Sequence, residues 1–207
     1  SIAAFKSCNV VVEAVFEDLK VKHAVYEELE QHVSSECIIA SNTSSLPISS
    51  LGRSCDRQER FAGLHFFNPV PIMELLELVR HEGTSEETIA MAQAAGEAMK
   101  KTTILVKDVP GFATSRLGVV LGNEAIRMLA DGVASAEDID KAMVLGYKHP
   151  MGPLKLTDLV GLDVRRDILL NLQRSFNDDR YAPHPLLEEM VEKGHLGKKS
   201  GQGFFEW

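Results

Sequence analysis

The sequence predicts an α/β first half and an all-helical second half. Three observations carry that reading. The apolar run Asn9–Val15, a segment with helical spacing and the apolar run Cys37–Ser41 form a strand–helix–strand unit. Such a unit, about 30 residues long, implies parallel strands and a right-handed crossover. Two further apolar runs, Phe61–Phe67 and Glu74–Arg80, stand close together on either side of Asn68-Pro69-Val70-Pro71. From Phe112 onward the apolar residues recur at helical spacing and no strand pattern appears.

Taken in order, Asn9–Val15 is a continuous apolar strand of the kind buried on both faces of a parallel sheet. After Asp18, the positions Leu19, Val21, Ala24, Val25 and Leu29 mark the first helix. Cys37–Ser41 is the second strand, followed by a small-polar turn and a short helix. The Pro-rich turn then joins the third and fourth strands. Thr84-Ser85-Glu86-Glu87 fits a capping box with Thr84 as N-cap, and Ile89, Ala90, Ala92, Ala95 and Met99 lie on the helix it opens. Thr103–Val106 is a last short strand, and Lys107–Gly111 breaks the pattern.

The second half contains five helices by the same criteria. Arg116–Ala130 has a wide apolar face and stops at Gly132. Ser135 to Asp138 is a capping-box-like start for a helix ending at Gly146. His149–Pro153 is a tight turn, Leu154–Leu172 accommodates two helices, and Pro183–Val191 opens the last. The apolar surface on Gly118–Leu129 and Leu159–Leu172 is either core or a subunit contact.

Composition narrows the function. With 207 residues, 44% hydrophobic and 25% charged, the chain suits one large or two small soluble globular domains. No apolar run approaches the roughly 20 residues of a membrane-spanning helix, and no secretory or transit segment is visible. A net charge of −8 argues against nucleic acid and against an anionic membrane as partner. Cys8, Cys37 and Cys55 are odd in number and widely spaced, which suits reduced thiols and neither a disulfide framework nor a metal site.

The chemistry concentrates between Ser41 and Arg80. If the third and fourth strands pair as neighbours, His65 and Glu77 meet side by side. A carboxylate beside an imidazole orients the ring and stabilises its protonated form, as a general acid–base pair requires. Ser44, just past the second strand, can bring its hydroxyl to the same point. Spacing alone leaves a structural histidine in the core as the alternative.

Five segments, SNTSSLPI, RFAGLHFFNPVPIMELLELV, DVPGFATSR, HPMGPLKLTDLVGLD and GKKSGQGFFEW, in this order, resemble the L-3-hydroxyacyl-CoA dehydrogenase family from near residue 8 to the end. The resemblance implies the C-terminal part of a Rossmann-type NAD-binding domain over residues 1–107. A small all-α dimerisation domain over 108–207 follows. No G-x-G-x-x-G occurs in the sequence. On the family pattern the first three strands, the glycine loop and the acidic residue for the adenosine ribose lie upstream of Ser1.

The resemblance further implies oxidation of the 3-hydroxyl of an L-3-hydroxyacyl-CoA, or 3-hydroxybutyryl-CoA, with NAD as cofactor, in fatty-acid β-oxidation or butanoate metabolism. His65 matches the acid–base, Glu77 the carboxylate that holds it, and Ser44 a hydroxyl that bonds substrate and nicotinamide. Glu17, Lys22, Asn42, Ser44, Asn68 and Lys199 match cofactor contacts. For Lys22 a solvated helix lysine is the alternative, for Asn68 simple turn chemistry, for Lys199 a flexible tail. Ser115 departs from the pattern, standing where the family usually has Asn in PGF-x-x-N-R; a serine at the start of a helix is its other reading. The resemblance implies a homodimer through the helical domain, in the cytoplasm or the mitochondrial matrix. A non-catalytic structural or binding fragment of the same fold is the alternative function. The GFFEW segment predicts an aromatic anchor docked back onto the fold.

Overall fold

The computed structural model describes residues 2–44 and 46–207. In the first of two units, Ser1–Phe112, β1 (Val10–Glu13), α1 (Leu19–His32) and β2 (Ile38–Ser41) form the expected crossover. There follow α2 (Ile48–Leu51), β3 (Phe61–Phe66), β4 (Leu75–Arg80), α3 (Glu86–Ala98) and β5 (Thr102–Lys107). The strands lie in sequence order. β1, β2 and β3 are parallel, β3 and β4 antiparallel, and β4 and β5 parallel. The link from Phe67 to Glu74 is too short for a crossover, so β4 has to run back alongside β3.

Two apolar layers sandwich the sheet. Tyr26, Leu29, Ile39, Ile48, Leu51, Phe61 and Val79 form one. Ile38, Ala40, Ala62, Leu64, Leu76, Leu78 and Ala92 form the other. The four residues of β2 are all buried, as a central strand with two covered faces requires. β1 departs from expectation. It is shorter than Asn9–Val15, and Val12 is 37% exposed, because β1 is the edge strand of the described sheet and one of its faces is uncovered.

Capping sets the helix starts. Asp18 accepts from the Val21 amide at 3.0 Å and opens α1. At α3 the cap is Ser85, not Thr84: Ser85 Oγ accepts from the Thr88 amide at 3.1 Å. Thr84 is buried, and its hydroxyl is committed elsewhere, donating to the Phe61 carbonyl at 2.9 Å and accepting from the His81 amide at 3.2 Å.

The second unit, Ala113–Trp207, contains α4 (Thr114–Ala130), α5 (Ala136–Lys141), α6 (Pro153–Val160), α7 (Leu162–Phe176) and α8 (Pro185–Glu192). No strand is present in this unit among the described residues. α5 is shorter than the sequence suggests, because Ala142–Gly146 is wound as a π-helical turn. The break between α6 and α7 falls at Gly161, whose φ of 107° disfavours any other residue. α8 starts at Pro185, two residues after the expected opening, with His184 as its N-cap. Val119, Ile126, Leu154, Leu162, Leu169, Leu172, Tyr181 and Leu187 form the core.

The final segment docks on that core through one carboxylate. Asp158, 1% exposed, accepts from the Phe204 amide, the Phe205 amide and Trp207 Nε1, each at 2.9 Å. A Cβ on Gly197 would stand 2.2 Å from the Asp158 carbonyl oxygen, and one on Gly203 2.2 Å from its Oδ1. Glycine is required at both by close approach.

Candidate active site

The register of β3 and β4 decides the site. His65 lies directly opposite Glu77 across the antiparallel pair, so both side chains project from the same face. Their carboxylate–imidazole bond, from His65 Nδ1 to Glu77 Oε2, is 2.7 Å. Glu77 is fully buried and His65 4% exposed. Phe67 and Phe112 flank the imidazole, with ring centroids at 4.6 and 5.7 Å. A bond this short to a buried carboxylate favours the Nδ1–H tautomer and leaves Nε2 facing Ser44. Ser44 Oγ stands 3.0 Å from it. Ser44 is exposed, so solvent and ligand reach this end of the row.

Ser44 is held from behind. Glu17 Oε1 accepts from the Ser44 amide at 3.3 Å and from the Thr43 hydroxyl. Lys22, which the sequence left open to reading as a solvated helix lysine, is 1% exposed. Its ammonium lies 2.8 Å from Glu13 Oε1 and 3.3 Å from Glu17 Oε2. A buried ammonium needs partners because bringing it out of water is costly, and two carboxylates supply them. Asn42 turns its side-chain oxygen onto the Phe66 amide at 2.8 Å, tying the end of β2 to β3. Asn68 stands in the exposed turn after β3.

Two expected site residues lie in the helical unit. Ser115 is half-buried in the first turn of α4. Lys199 pairs with Asp163, Nζ to Oδ2 at 2.6 Å, at the start of α7. Burial alone would raise the Asp163 carboxyl, but the hydrogen bond and charge of Lys199 outweigh it and hold the group below the usual carboxylate range.

Sequence reasoning missed the carboxylate on which this arrangement is built. Glu13 closes β1 and is buried, with Tyr26, Ser41 and Lys22 all donating to it. Burial and the bond to Glu13 push the Tyr26 hydroxyl well above its ordinary pKa. The available signal was an acidic residue inside an otherwise apolar strand.

The ends of β1, β2 and β3 form one carboxyl edge, where open α/β sheets take their ligands. Glu17, with a side chain 40% exposed, and the exposed Ser44 face solvent there as a polar ledge.

Residues 1–109 match the family described as 3-hydroxyacyl-CoA dehydrogenase, NAD binding domain, and residues 111–207 match 3-hydroxyacyl-CoA dehydrogenase, C-terminal domain. The chain is 44% identical over 203 residues to a probable 3-hydroxybutyryl-CoA dehydrogenase of Deinococcus radiodurans, covering 98% of this chain and 73% of that one. It is 43% identical over 202 residues to the human mitochondrial hydroxyacyl-coenzyme A dehydrogenase, covering 97% and 64%. The crystal structure of (S)-3-hydroxybutyryl-CoA dehydrogenase from Ralstonia eutropha superposes with a TM-score of 0.96 at 41% identity, over all of this chain and 73% of that one. With both halves matched in order, the chain belongs to the 3-hydroxyacyl-CoA dehydrogenase family.

Proposed function

We propose that this NAD-dependent dehydrogenase acts on the 3-hydroxyl of a short L-3-hydroxyacyl-CoA such as 3-hydroxybutyryl-CoA, with His65 as acid–base. The observation that carries the reading is the row Glu77–His65–Ser44, bonded at 2.7 and 3.0 Å and open to solvent at its serine end. In the oxidative direction His65 Nε2 takes the hydroxyl proton. Glu77 stabilises the resulting imidazolium without moving, because Nδ1 already donates to it. Ser44 donates to the substrate oxygen and keeps it in line with Nε2. Glu17, Ser44, Asn42 and Asn68 would hold NAD at its nicotinamide end, and NAD would supply the hydride acceptor. In the reductive direction the protonated imidazole returns its proton to the carbonyl oxygen. Lys22 and Lys199 complete our assignment of cofactor contacts, and Ser115 supplies a further donor to the substrate.

The names of the relatives support acyl-CoA as substrate class. A non-catalytic fragment is the weaker reading, because a structural part has no use for an imidazole oriented by a buried carboxylate and bonded to a solvent-exposed serine. We assign the enzyme to fatty-acid or butanoate metabolism, to a cytoplasmic location with the mitochondrial matrix as alternative, and to a homodimer through its helical unit. No helix among the described residues is long and apolar enough to cross a membrane.

The test is NADH oxidation on adding acetoacetyl-CoA. His65→Gln keeps the size of the side chain and removes the titrating nitrogen, so kcat is expected to fall by a factor of about 10² to 10⁴. A variant that retains full turnover refutes the assignment.

A further inference from the structure

Glu13 has no part in the proton and hydride steps, yet four donors converge on its carboxylate. Its side chain is 1% exposed. Oε1 accepts from the Val15 amide at 2.5 Å and from Lys22 Nζ at 2.8 Å. Oε2 accepts from Ser41 Oγ at 2.9 Å and from the Tyr26 hydroxyl. A buried carboxylate with four donors is fixed in place. Lys22 is fixed in turn, since its ammonium also donates to the Val15 carbonyl at 3.3 Å. What Lys22 presents outward is a positive charge 3.3 Å from Glu17 Oε2, and Glu17 Oε1 accepts from the Ser44 amide.

We propose that Glu13 is a positioning residue of the dehydrogenase, acting through Lys22 and Glu17 to hold Ser44 at His65. The inference rests on the function proposed above. Glu17 has a side chain 40% exposed, and an exposed carboxylate by itself fixes a loop weakly, because solvent screens surface ion pairs. Anchoring Lys22 in the interior changes this, since its charge cannot follow solvent. Without the Glu13 charge, Lys22 keeps Glu17 as its only carboxylate among these groups. The ammonium then draws Glu17 away from the Thr43 hydroxyl and the Ser44 amide, and Ser44 Oγ loses its place at 3.0 Å from Nε2.

The test is a double-mutant cycle in the full-length enzyme, read as kcat and KM for acetoacetyl-CoA reduction by NADH. Glu13→Gln keeps the shape of the side chain and removes its charge. We expect kcat to drop about 10- to 100-fold, the range typical of groups that orient a site from one step away. The KM for acetoacetyl-CoA stays within about twofold, because no contact to the acyl-CoA is removed. In a Ser44→Ala background the same substitution lowers kcat by less than about threefold, since residues that act through one another are not additive. Losses that multiply independently overturn the proposal. So does a lowered Tm with unchanged kcat, which reduces Glu13 to a stabiliser of the β1–β2 pair. Tyr26→Phe removes one donor from Glu13 while its ring stays packed on Phe61 at 5.0 Å, and it carries the same cycle if Glu13→Gln does not fold. A wild-type enzyme without turnover sinks the proposed function and this inference together; an active wild type with additive variants sinks the inference alone.

Discussion

At the scale of residues, the site depends on which nitrogen faces which partner. Glu77→Gln leaves the side chain's size intact and cannot offset an imidazolium. The expected result is a loss of kcat of about 10²-fold or more, because the imidazolium formed in turnover loses its partner. Steady-state kcat for acetoacetyl-CoA reduction checks this, and unchanged turnover refutes it. Ser115 is a second case. If its hydroxyl donates to substrate, Ser115→Ala lowers kcat/KM by roughly 10² to 10³, the usual effect of losing one such donor. Unchanged kinetics would make Ser115 a serine of the first turn of α4 and nothing more. Single residues were unevenly legible in the sequence. His65 and Glu77 could be paired because they lie in two strands joined by a link too short to cross over. Glu13 and Tyr26 could not, because their contact brings a strand end onto a helix face, a distance no periodicity encodes.

At the scale of elements, local hydrogen bonds decide where each piece begins. Ser85→Ala removes the N-cap of α3, which is expected to lower stability by about 1 kcal/mol in denaturant titration. Thr84→Val is expected to be more damaging, since Thr84 ties β3 to the loop before α3 through two bonds and is 3% exposed. If Ser85→Ala is the worse of the two, the cap assignment is wrong. The sequence placed this cap one residue early, since Thr84-Ser85-Glu86-Glu87 offers two hydroxyls in adjacent positions and only the tertiary contact to Phe61 separates them. The Asp158 anchor gives a third comparison. Asp158→Ala leaves the Phe204 and Phe205 amides and the Trp207 indole without their acceptor. Loss of several kcal/mol and a more exposed Trp207 by fluorescence are expected. The aromatic docking was legible from GFFEW; its acceptor, about 46 residues earlier, was not.

At the scale of the whole molecule, the chain divides into two compact units, and the sequence changes period from strand to helix along its length. What covers the helical unit is our proposal of a second copy. Leu117 is 72% exposed, and Val120, Leu159, Val160 and Val164 are each at least 39% exposed, while Ile126 and Leu169 of the same stretches are core. Leu117→Asp with Val120→Asp is expected to convert a dimer to monomers in sedimentation, and an unchanged species refutes that face as the contact.

The pairing of β3 with β4 has one more consequence, for how such a chain tolerates change in length. Adding or deleting a single residue between Leu64 and Phe66, or between Leu76 and Leu78, turns the following side chain to the other side and separates acid–base from counter-charge. The eight positions from Phe67 to Glu74 carry no such constraint. Insertions that preserve turnover should therefore accumulate in that hairpin loop and be absent from the strands beside it.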